Sequence, residues 1–195
     1  SKLSPYLHVP LQSGDAGILS AMNRPYHVGE YVRLTHKAVA AIPHLGLGTD
    51  LMVGFPGETE EAFEHTLAIA RELPFSYFHV FTYSPRPGTA AMTLPNPLPI
   101  AVARQRAKKL AELSRLKRLA FAERYIGSTM SVLFESGSTD GFRFGTTANF
   151  LKVGVPSTTD LANHLKNVRI IGASDSWAVG QLATEHQPAR RVPVL

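Results

Sequence analysis

Two apolar segments of this 195-residue chain each end in a turn rich in glycine and proline, and this feature constrains the fold most strongly. Residues 48–54 lead into Phe-Pro-Gly-Glu-Thr, and residues 77–83 lead into Ser-Pro-Arg-Pro-Gly-Thr. A parallel sheet presents its ligand-binding loops in this way, at the carboxyl ends of its strands. Asp50 stands out in the first segment, because a buried carboxylate needs a partner. It either contacts a ligand or serves the structure, by capping a loop or pairing with an arginine.

Helical patterns separate these two strands from each other and from a shorter strand at residues 7–11. The first helix is predicted to begin near Asp15, which can cap its backbone N–H groups, and the second covers about residues 28–42. The third begins near a cluster of Glu58, Glu60 and Glu61 and ends before Pro74. Alternating strands and helices predict an α/β fold with a parallel sheet and right-handed crossovers. Because three strands cover such a sheet poorly, we expect the chain to be the later part of a larger (β/α) barrel.

The periodicity changes from helical to strand-like near Gly127. Before that point, residues 100 to about 125 predict one long helix with two contrasting sides. Its predicted apolar side comprises Val102, Leu110, Leu113, Leu116 and Ala120, and its basic side comprises Arg104, Lys108, Arg115 and Arg118. Five short strands are predicted after it, at residues 130–135, 142–145, 150–155, 166–171 and 177–182. Short strands between polar turns indicate a small antiparallel β-barrel.

These patterns divide the chain into residues 1–126, a small barrel at residues 127–185, and a frayed tail at residues 186–195. The charge is divided unevenly. Residues 1–99 carry six Lys or Arg and eight Asp or Glu, whereas residues 100–195 carry fourteen and seven. This asymmetry favours a second half that faces a polyanion.

The composition limits the chemistry that the chain can perform alone. It contains no cysteine, which excludes disulfides and thiolate-bound metals on this chain. Its eight histidines form no close ligand pair, so we expect no metal site. The sequence has no signal-peptide pattern and no run of roughly 18 apolar residues, and we expect a cytoplasmic protein that does not span a membrane.

Four sequence motifs occur here in the order in which the radical S-adenosylmethionine (radical SAM) methylthiotransferases carry them. They are His-Val-Pro-Leu-Gln-Ser-Gly at 8–14, Met-Asn-Arg-Pro-Tyr at 22–26, the segment 49–59, and Tyr-Ser-Pro-Arg-Pro-Gly-Thr at 83–89. The barrel after residue 127 resembles the TRAM domain, the RNA-binding module that ends such enzymes, and residues 145–153 match its central strand pair. The resemblance covers roughly residues 3–183, which is nearly the whole chain.

The resemblance implies a transferase that adds a methylthio group to C2 of adenosine 37, in the anticodon loop of tRNA. Its cofactors are S-adenosyl-L-methionine and two [4Fe–4S] clusters. Residues 78–81 and 149–153 most resemble the MtaB-type enzymes, which modify N6-threonylcarbamoyladenosine. The family holds its radical-generating cluster on a Cys-x3-Cys-x2-Cys loop, and this chain has no cysteine. We therefore expect both clusters to be ligated outside this chain, and the chain alone to be inactive.

The resemblance also implies a cofactor site, although it assigns no catalytic residue. An arginine suits the methionyl carboxylate of the cofactor, and an aspartate accepts hydrogen bonds from its ammonium or ribose hydroxyls. A glycine lets the backbone approach the adenosine closely. The implied contacts are Gln12, Arg24, Asp50, Gly54, Tyr83 and Ser84. Alternatively, Arg24 pairs with a helix carboxylate and Gln12 only braces a loop.

A further set of residues is expected to contact substrate or RNA. Arg86, held between two prolines at the barrel mouth, is expected to orient substrate or cofactor. Basic and aromatic groups on the small barrel fit phosphate contact and base stacking. They are Arg143, Asn149, Phe150, Lys152, Lys166 and Arg169. Alternatively, Phe150 packs inside the barrel.

Three other functions remain open on the sequence. The chain could belong to a MiaB-type enzyme acting on isopentenyladenosine 37, or to a methylthiotransferase that modifies an aspartate of a ribosomal protein. It could also be a non-catalytic RNA-binding protein built from a decayed barrel, which the absence of cysteine favours. The presence of Gln12, Arg24 and Asp50 together favours an enzyme.

Overall fold

The computed structural model describes residues 3–183, and the predicted tail at residues 186–195 lies outside this range. The described residues divide into two units, one of residues 5–117 and one of residues 118–183 together with residues 3 and 4. The first holds a parallel sheet with helices and the second holds a closed five-stranded barrel, which confirms the predicted fold class. Within the described range, no helix is long and apolar enough to cross a membrane.

The first unit is built on a parallel sheet of three strands, as predicted, and their order is β1-β2-β3. Its strands are β1 (Tyr6–His8), β2 (Gly46–Val53) and β3 (Tyr77–Thr82). Its helices are α1 (Ala16–Ala21), α2 (Val28–Ala41), α3 (Glu60–Glu72) and the start of α4 (Ile100–Glu123), with a 3₁₀ turn at Ala90–Thr93. Each strand and α-helix lies within a few residues of its predicted position, because glycine and proline residues bound most of them in the sequence, and the 3₁₀ turn was not predicted.

Side-chain caps set where two of these helices begin. Asp15 accepts a hydrogen bond from the first turn of α1, as predicted, and Thr59 does the same for α3. Glu60 and Glu61 occupy the first turn of α3, where the helix dipole favours anions. The third acidic residue of this cluster, Glu58, precedes the helix and is buried.

The core of the first unit lies on one face of the sheet. Leu47, Leu51 and Val53 of β2 are buried there, and alternation along the strand turns Asp50 and Met52 to the opposite face. Each such buried aliphatic side chain contributes about 1.5–3 kcal/mol. The helices and β3 complete this core with Tyr31, Phe63, Leu67, Ala70, Phe78 and Leu110.

The buried side of α4 differs from the predicted one. Arg106, Leu110 and Ser114 are buried, whereas Leu116 and Ala120, which were expected on the apolar side, are exposed. Ser114 Oγ donates a hydrogen bond of 2.7 Å to a backbone carbonyl of β3, and this contact satisfies the buried hydroxyl. The spacing of apolar residues does not predict this face, because the face buries an arginine and a serine that bond to residues distant in the sequence.

The second unit is a closed β-barrel with the strand order β4-β5-β6-β8-β7. Its strands are β4 (Thr129–Phe134), β5 (Phe142–Thr147), β6 (Lys152–Pro156), β7 (Leu165–Ala173) and β8 (Ala178–Leu182). All five were predicted, but the barrel is not entirely antiparallel, since β6 and β8 pair in parallel. Val132, Phe134, Val153, Val168 and Ile170 fill its interior.

Candidate cofactor-binding pocket

A pocket of about 450 Å³ lies in the first unit, beside the carboxyl ends of β2 and β3. The structure brings together five residues that were predicted to contact cofactor or substrate, namely Gln12, Arg24, Tyr83, Ser84 and Arg86. The sequence reasoning assigned no role to the apolar side chains that share the lining, which include Met22, Met52, Phe55 and Phe81. The pocket is therefore mainly apolar, with two arginines (Arg24 and Arg86) and two amide residues (Gln12 and Asn23) among its lining residues.

The main chain of Gln12 is fixed to strand β2. Its N–H donates to the carbonyl of Asp50 and its own carbonyl accepts from the N–H of Met52, both at 2.8 Å. The bridge to Leu51 extends the parallel pairing beyond the end of β1. Gln12 has a φ of +69°, so the chain turns sharply at this residue. Its backbone thus belongs to the sheet while its side chain lines the pocket.

A buried hydroxyl network holds the segment that precedes Gln12. Thr49 Oγ1 accepts from the N–H of Leu11 at 2.9 Å and donates to the carbonyl of Val9 at 2.8 Å. Tyr31 Oη donates to the same carbonyl at 2.6 Å. Burial raises the pKa of Tyr31 to about 12, so its hydroxyl stays protonated and remains a donor. This network holds the backbone at Val9 and Leu11 and so fixes the position of Gln12 beside the pocket.

Arg24 follows the end of α1, where the chain reverses direction. Asn23 adopts a φ of +55° and the N–H of Arg24 donates to the carbonyl of Leu19 at 2.9 Å, which is the Schellman pattern of a helix end. Tyr26 Oη donates to the carbonyl of Leu11 at 2.9 Å and ties this turn to the segment before Gln12. Within residues 3–183, no carboxylate forms a salt bridge with Arg24.

An aromatic wall closes one side of the pocket. The rings of Phe55 and Tyr83 meet edge to face with centroids 5.3 Å apart, and Tyr83 is anchored by its N–H to the carbonyl of Val53 at 2.8 Å. Tyr83 Oη is buried and has no hydrogen-bond partner among the described residues. A buried hydroxyl without a partner is costly, so this atom marks a position where a ligand can supply the missing bond.

The rim at Arg86 is a tight turn. The carbonyl of Arg86 accepts from the N–H of Thr89 at 3.2 Å and from its hydroxyl at 2.8 Å. Pro87 and Gly88, whose φ is +80°, occupy the two central positions, and type II turns prefer these residue types there. The Pro-Arg-Pro-Gly-Thr sequence thus presents an exposed arginine on a stiff turn.

Asp50 is not among the residues that line this pocket. Its Oδ1 lies 3.1 Å from His8 Nε2, and both side chains are about one-quarter exposed, at 22% and 27%. The carboxylate on the sheet face therefore has a histidine as its neighbour, rather than the arginine considered from the sequence. The structure brings Gln12 and Arg24 to one pocket but does not bring Asp50 there.

The first third of the chain is similar in sequence to a known protein superfamily. Residues 2–70 match the sequence profile of the Radical SAM superfamily. Over these residues, which include Gln12, Arg24 and the whole of β2, the chain is similar to part of a radical SAM domain. Proteins of this superfamily use S-adenosylmethionine and an iron–sulfur cluster.

Curated relatives extend the similarity over nearly all of this chain. The tRNA-2-methylthio-N(6)-dimethylallyladenosine synthase of Ehrlichia chaffeensis is 38% identical over 184 residues, which are 92% of this chain and 42% of that protein. Proteins of the same name from Rickettsia canadensis and Caldicellulosiruptor saccharolyticus are 38% and 35% identical, over 94% and 93% of this chain and 42% and 39% of their own. The chain thus spans about two-fifths of the length of these relatives.

Gly54, which was also predicted to contact the cofactor, lies outside the pocket lining. It has a φ of +80°, and a Cβ at this position would lie 2.7 Å from the Cβ of Ala103 in α4. Its N–H donates to Glu58 Oε2 at 2.8 Å. The close approach of α4 and the left-handed backbone therefore explain this glycine without any contact to a nucleoside.

Sequence reasoning missed a buried ion pair behind the loop that follows β2. Arg106 Nη1 lies 2.7 Å from Glu58 Oε2 and donates to the carbonyl of the same residue at 3.0 Å, while Nη2 donates to Glu60 at 2.7 Å. The Arg106 and Glu58 side chains are only 5% and 1% exposed. Burial lowers the pKa of Arg106, but the bonds to Glu58 and Glu60 raise it by more, so the net pKa is raised and the guanidinium stays charged. The Glu58 side chain also anchors Gly54, so the pair holds the loop in its shape.

The predicted RNA contacts of the barrel differ in accessibility. Lys152, Lys166 and Arg169 are exposed, and so is Phe150, whose side chain does not pack inside the barrel and whose φ is +64°. Arg143 is only 18% exposed at its side chain, and its Nη1 donates to a loop carbonyl at 3.3 Å.

Asn149 is buried and bonded within the barrel unit. Its Nδ2 donates to Tyr125 Oη at 2.8 Å, and its Oδ1 accepts from the hydroxyl of Thr147. The structure gives Asn149 an internal role in place of the RNA contact expected from the sequence. Phe150 is the next residue in the sequence after the buried Asn149, and its ring is exposed.

Proposed function

We propose that the pocket binds S-adenosylmethionine and that the chain is part of an enzyme that adds a methylthio group to C2 of N6-dimethylallyladenosine in tRNA. The relatives named above support this substrate. Dimethylallyl is the isopentenyl group of the MiaB-type alternative considered from the sequence. The relatives give no support to N6-threonylcarbamoyladenosine, which residues 78–81 and 149–153 suggested. We also propose that the modified nucleoside is adenosine 37 of the anticodon loop and that the barrel is a TRAM domain.

The observation that carries the cofactor assignment is the pocket shared by the Gln12 and Arg24 motifs. Its volume of about 450 Å³ falls within the range of small-molecule sites. Its chemistry fits a molecule with a flat aromatic base at one end and a charged amino acid at the other. Phe55 and Tyr83 provide the aromatic surface and an unpartnered hydroxyl, and Arg24 provides a cation.

Each side chain then has a definite task when the cofactor is bound. Arg24 holds the methionyl carboxylate, since a guanidinium binds a carboxylate through paired hydrogen bonds. Phe55 and Tyr83 hold the adenine, and Gln12 donates to and accepts from the polar groups between the two ends. Bound S-adenosylmethionine, with an iron–sulfur cluster, supplies a radical that removes a hydrogen atom from the substrate. Because the chain has no cysteine, we propose that both clusters are held outside it and that the chain alone does not turn over.

Replacing Arg24 with alanine is expected to raise the dissociation constant for S-adenosylmethionine about 10- to 100-fold. The variant loses charge-assisted hydrogen bonds to the carboxylate. Isothermal titration calorimetry on the chain measures the constant directly. The matched control is Arg104→Ala, which removes an exposed arginine of α4 and is expected to leave the constant unchanged. Equal affinities for the wild type and the Arg24 variant would remove the cofactor assignment from this pocket.

The proposed substrate makes a separate prediction for the organism that supplies this chain. Disrupting its gene is expected to abolish the methylthio form of N6-dimethylallyladenosine in total tRNA and to leave the unmethylthiolated nucleoside in its place. Liquid chromatography with mass spectrometry of digested tRNA measures both nucleosides. Loss of methylthiolated threonylcarbamoyladenosine, or of a modified ribosomal-protein aspartate, would instead establish one of the alternative enzymes. Unchanged nucleosides and unchanged ribosomal protein would leave the non-catalytic RNA-binding alternative.

We propose that the barrel unit binds the tRNA. Three exposed cations, Lys152, Lys166 and Arg169, support this role, as does the excess of basic residues in the second half of the chain. Phosphate contacts by such residues supply most of the sequence-independent affinity for nucleic acids.

A further inference from the structure

Three aromatic rings form a continuous cluster on the barrel, which we name the aromatic platform: Phe142, Phe144 and Trp177. Phe142 and Phe144 are stacked, with centroids 6.3 Å apart and planes 27° apart. Trp177 meets Phe144 edge to face at 5.0 Å and lies 6.4 Å from Phe142. The sequence reasoning assigned no role to any of the three, although the spacing of Phe142 and Phe144 by two residues places both on one face of β5.

The aromatic platform lies on the outer surface of the barrel. Val153 and Val155 of β6 point into the barrel core, so the residue between them, Gly154, faces outward. Phe144 pairs in register with Gly154, and a Cβ built on this glycine would lie 2.8 Å from the Phe144 ring and 2.9 Å from Trp177. The rings therefore lie directly against the strand at Gly154. None of the three rings is fully buried.

A cation adjoins the aromatic platform. Lys152 Nζ lies 4.9 Å from the centroid of Phe144, on the same outer surface of β6 as Gly154. Together with the basic excess of residues 100–195, this lysine makes the surroundings favourable for an anionic ligand. Aromatic rings beside a cation match the two parts of a nucleotide, because a base stacks on a ring and a phosphate pairs with an ammonium group.

We propose that the aromatic platform is a nucleobase-binding site for single-stranded RNA, with Lys152 contacting the adjoining phosphate. The inference rests on the proposed RNA binding of the barrel and adds a base-stacking subsite to it. A face built from rings stacks any of the four bases, so this subsite supplies affinity and places the strand, and it does not read sequence. The three rings bind as one surface, with Phe142 at the end away from Lys152.

Trp177 is the only tryptophan of the chain, so its fluorescence reports on the aromatic platform alone. Titration with a short adenine-rich single-stranded RNA is expected to quench this fluorescence. Titration with inorganic polyphosphate, which carries the charges without the bases, is expected to leave it unchanged. The anisotropy of a fluorescein-labelled copy of the same RNA measures overall binding in parallel. A quench at the same RNA concentrations as the anisotropy change supports the proposal.

A matched pair of variants at Phe142 completes the test without removing the probe. Phe142→Ala is expected to weaken RNA binding about tenfold, and Phe142→Tyr, which keeps a stacking ring, is expected to retain it. RNA binding that neither quenches Trp177 nor responds to Phe142→Ala would overturn the subsite and leave the RNA binding of the barrel intact. Equal quenching by polyphosphate would overturn the base contact. No binding by anisotropy would overturn both proposals. Circular dichroism confirms that each variant is folded.

Discussion

Replacing Arg106 with alanine is expected to lower the free energy of unfolding by about 3–5 kcal/mol, because it leaves a buried carboxylate without its partner. Glu58 is 1% exposed at its side chain, and among the donors of residues 3–183 only the N–H of Gly54 remains bonded to this carboxylate after the substitution. Such a loss is a large share of the stability of a protein of this size. Urea unfolding followed by far-ultraviolet circular dichroism measures the difference.

Two further variants separate the ion pair from general effects on α4. Lys108→Ala removes an exposed cation of the same helix and is expected to change stability by less than about 0.5 kcal/mol. Arg106→Lys keeps the charge but loses the forked donors, so we expect a loss between those of the other two variants. A change below about 1 kcal/mol for Arg106→Ala would show that the pair does not hold the loop before α3.

The second large effect concerns the salt dependence of RNA binding. Replacing Lys152, Lys166 and Arg169 together with alanine is expected to reduce the log–log slope of affinity against salt by about 2, since each phosphate contact to a single strand contributes about 0.7. A slope of 2 means that affinity falls about 16-fold when salt rises from 50 to 200 mM, and we expect the triple variant to lose about this much of the salt dependence. Fluorescence anisotropy of a labelled anticodon stem-loop, repeated at several salt concentrations, measures both slopes.

A charge-matched control lies in the other unit of the chain. Arg33, Lys37 and Arg71 are exposed on helices α2 and α3, and replacing all three removes the same number of charges. We expect this control to retain the slope of the wild type. If both triple variants lower the slope equally, the affinity depends on net charge and not on the surface of the barrel.

The sequence predicted the elements of both units well, because turns and caps are local. Asp15 caps α1 as expected, and glycine and proline residues bound the strands. What it could not predict were partners distant in the sequence. Glu58 and Arg106 are 48 residues apart, and only the packing of α4 against the sheet shows that they pair. Asn149 illustrates the same limit, since its type and position suit an RNA contact while its surroundings bury it.

The sequence motifs predicted some, but not all, of the residues that line the candidate pocket. Gln12, Arg24 and Tyr83 were assigned to one site from their places in the motifs, and the structure places all three around one pocket. From the sequence no role was assigned to Phe55, whose ring contacts Tyr83 in the pocket lining. Asp50 was assigned from its matching position in the motif. It shares a face of β2 with Met52, which lines the pocket, but its carboxylate lies beside His8 and Asp50 is not among the lining residues.

The positive φ of Gln12 has an energetic consequence. A residue with a side chain in the left-handed region is less stable there by about 1–2 kcal/mol, a penalty that glycine would avoid. The protein thus gives up conformational stability at a residue whose amide reaches the pocket. Local strain of this kind is common where a side chain serves a ligand more than the scaffold. Replacing Gln12 with glycine is therefore expected to raise the thermal stability of the protein while removing a side chain from the pocket lining.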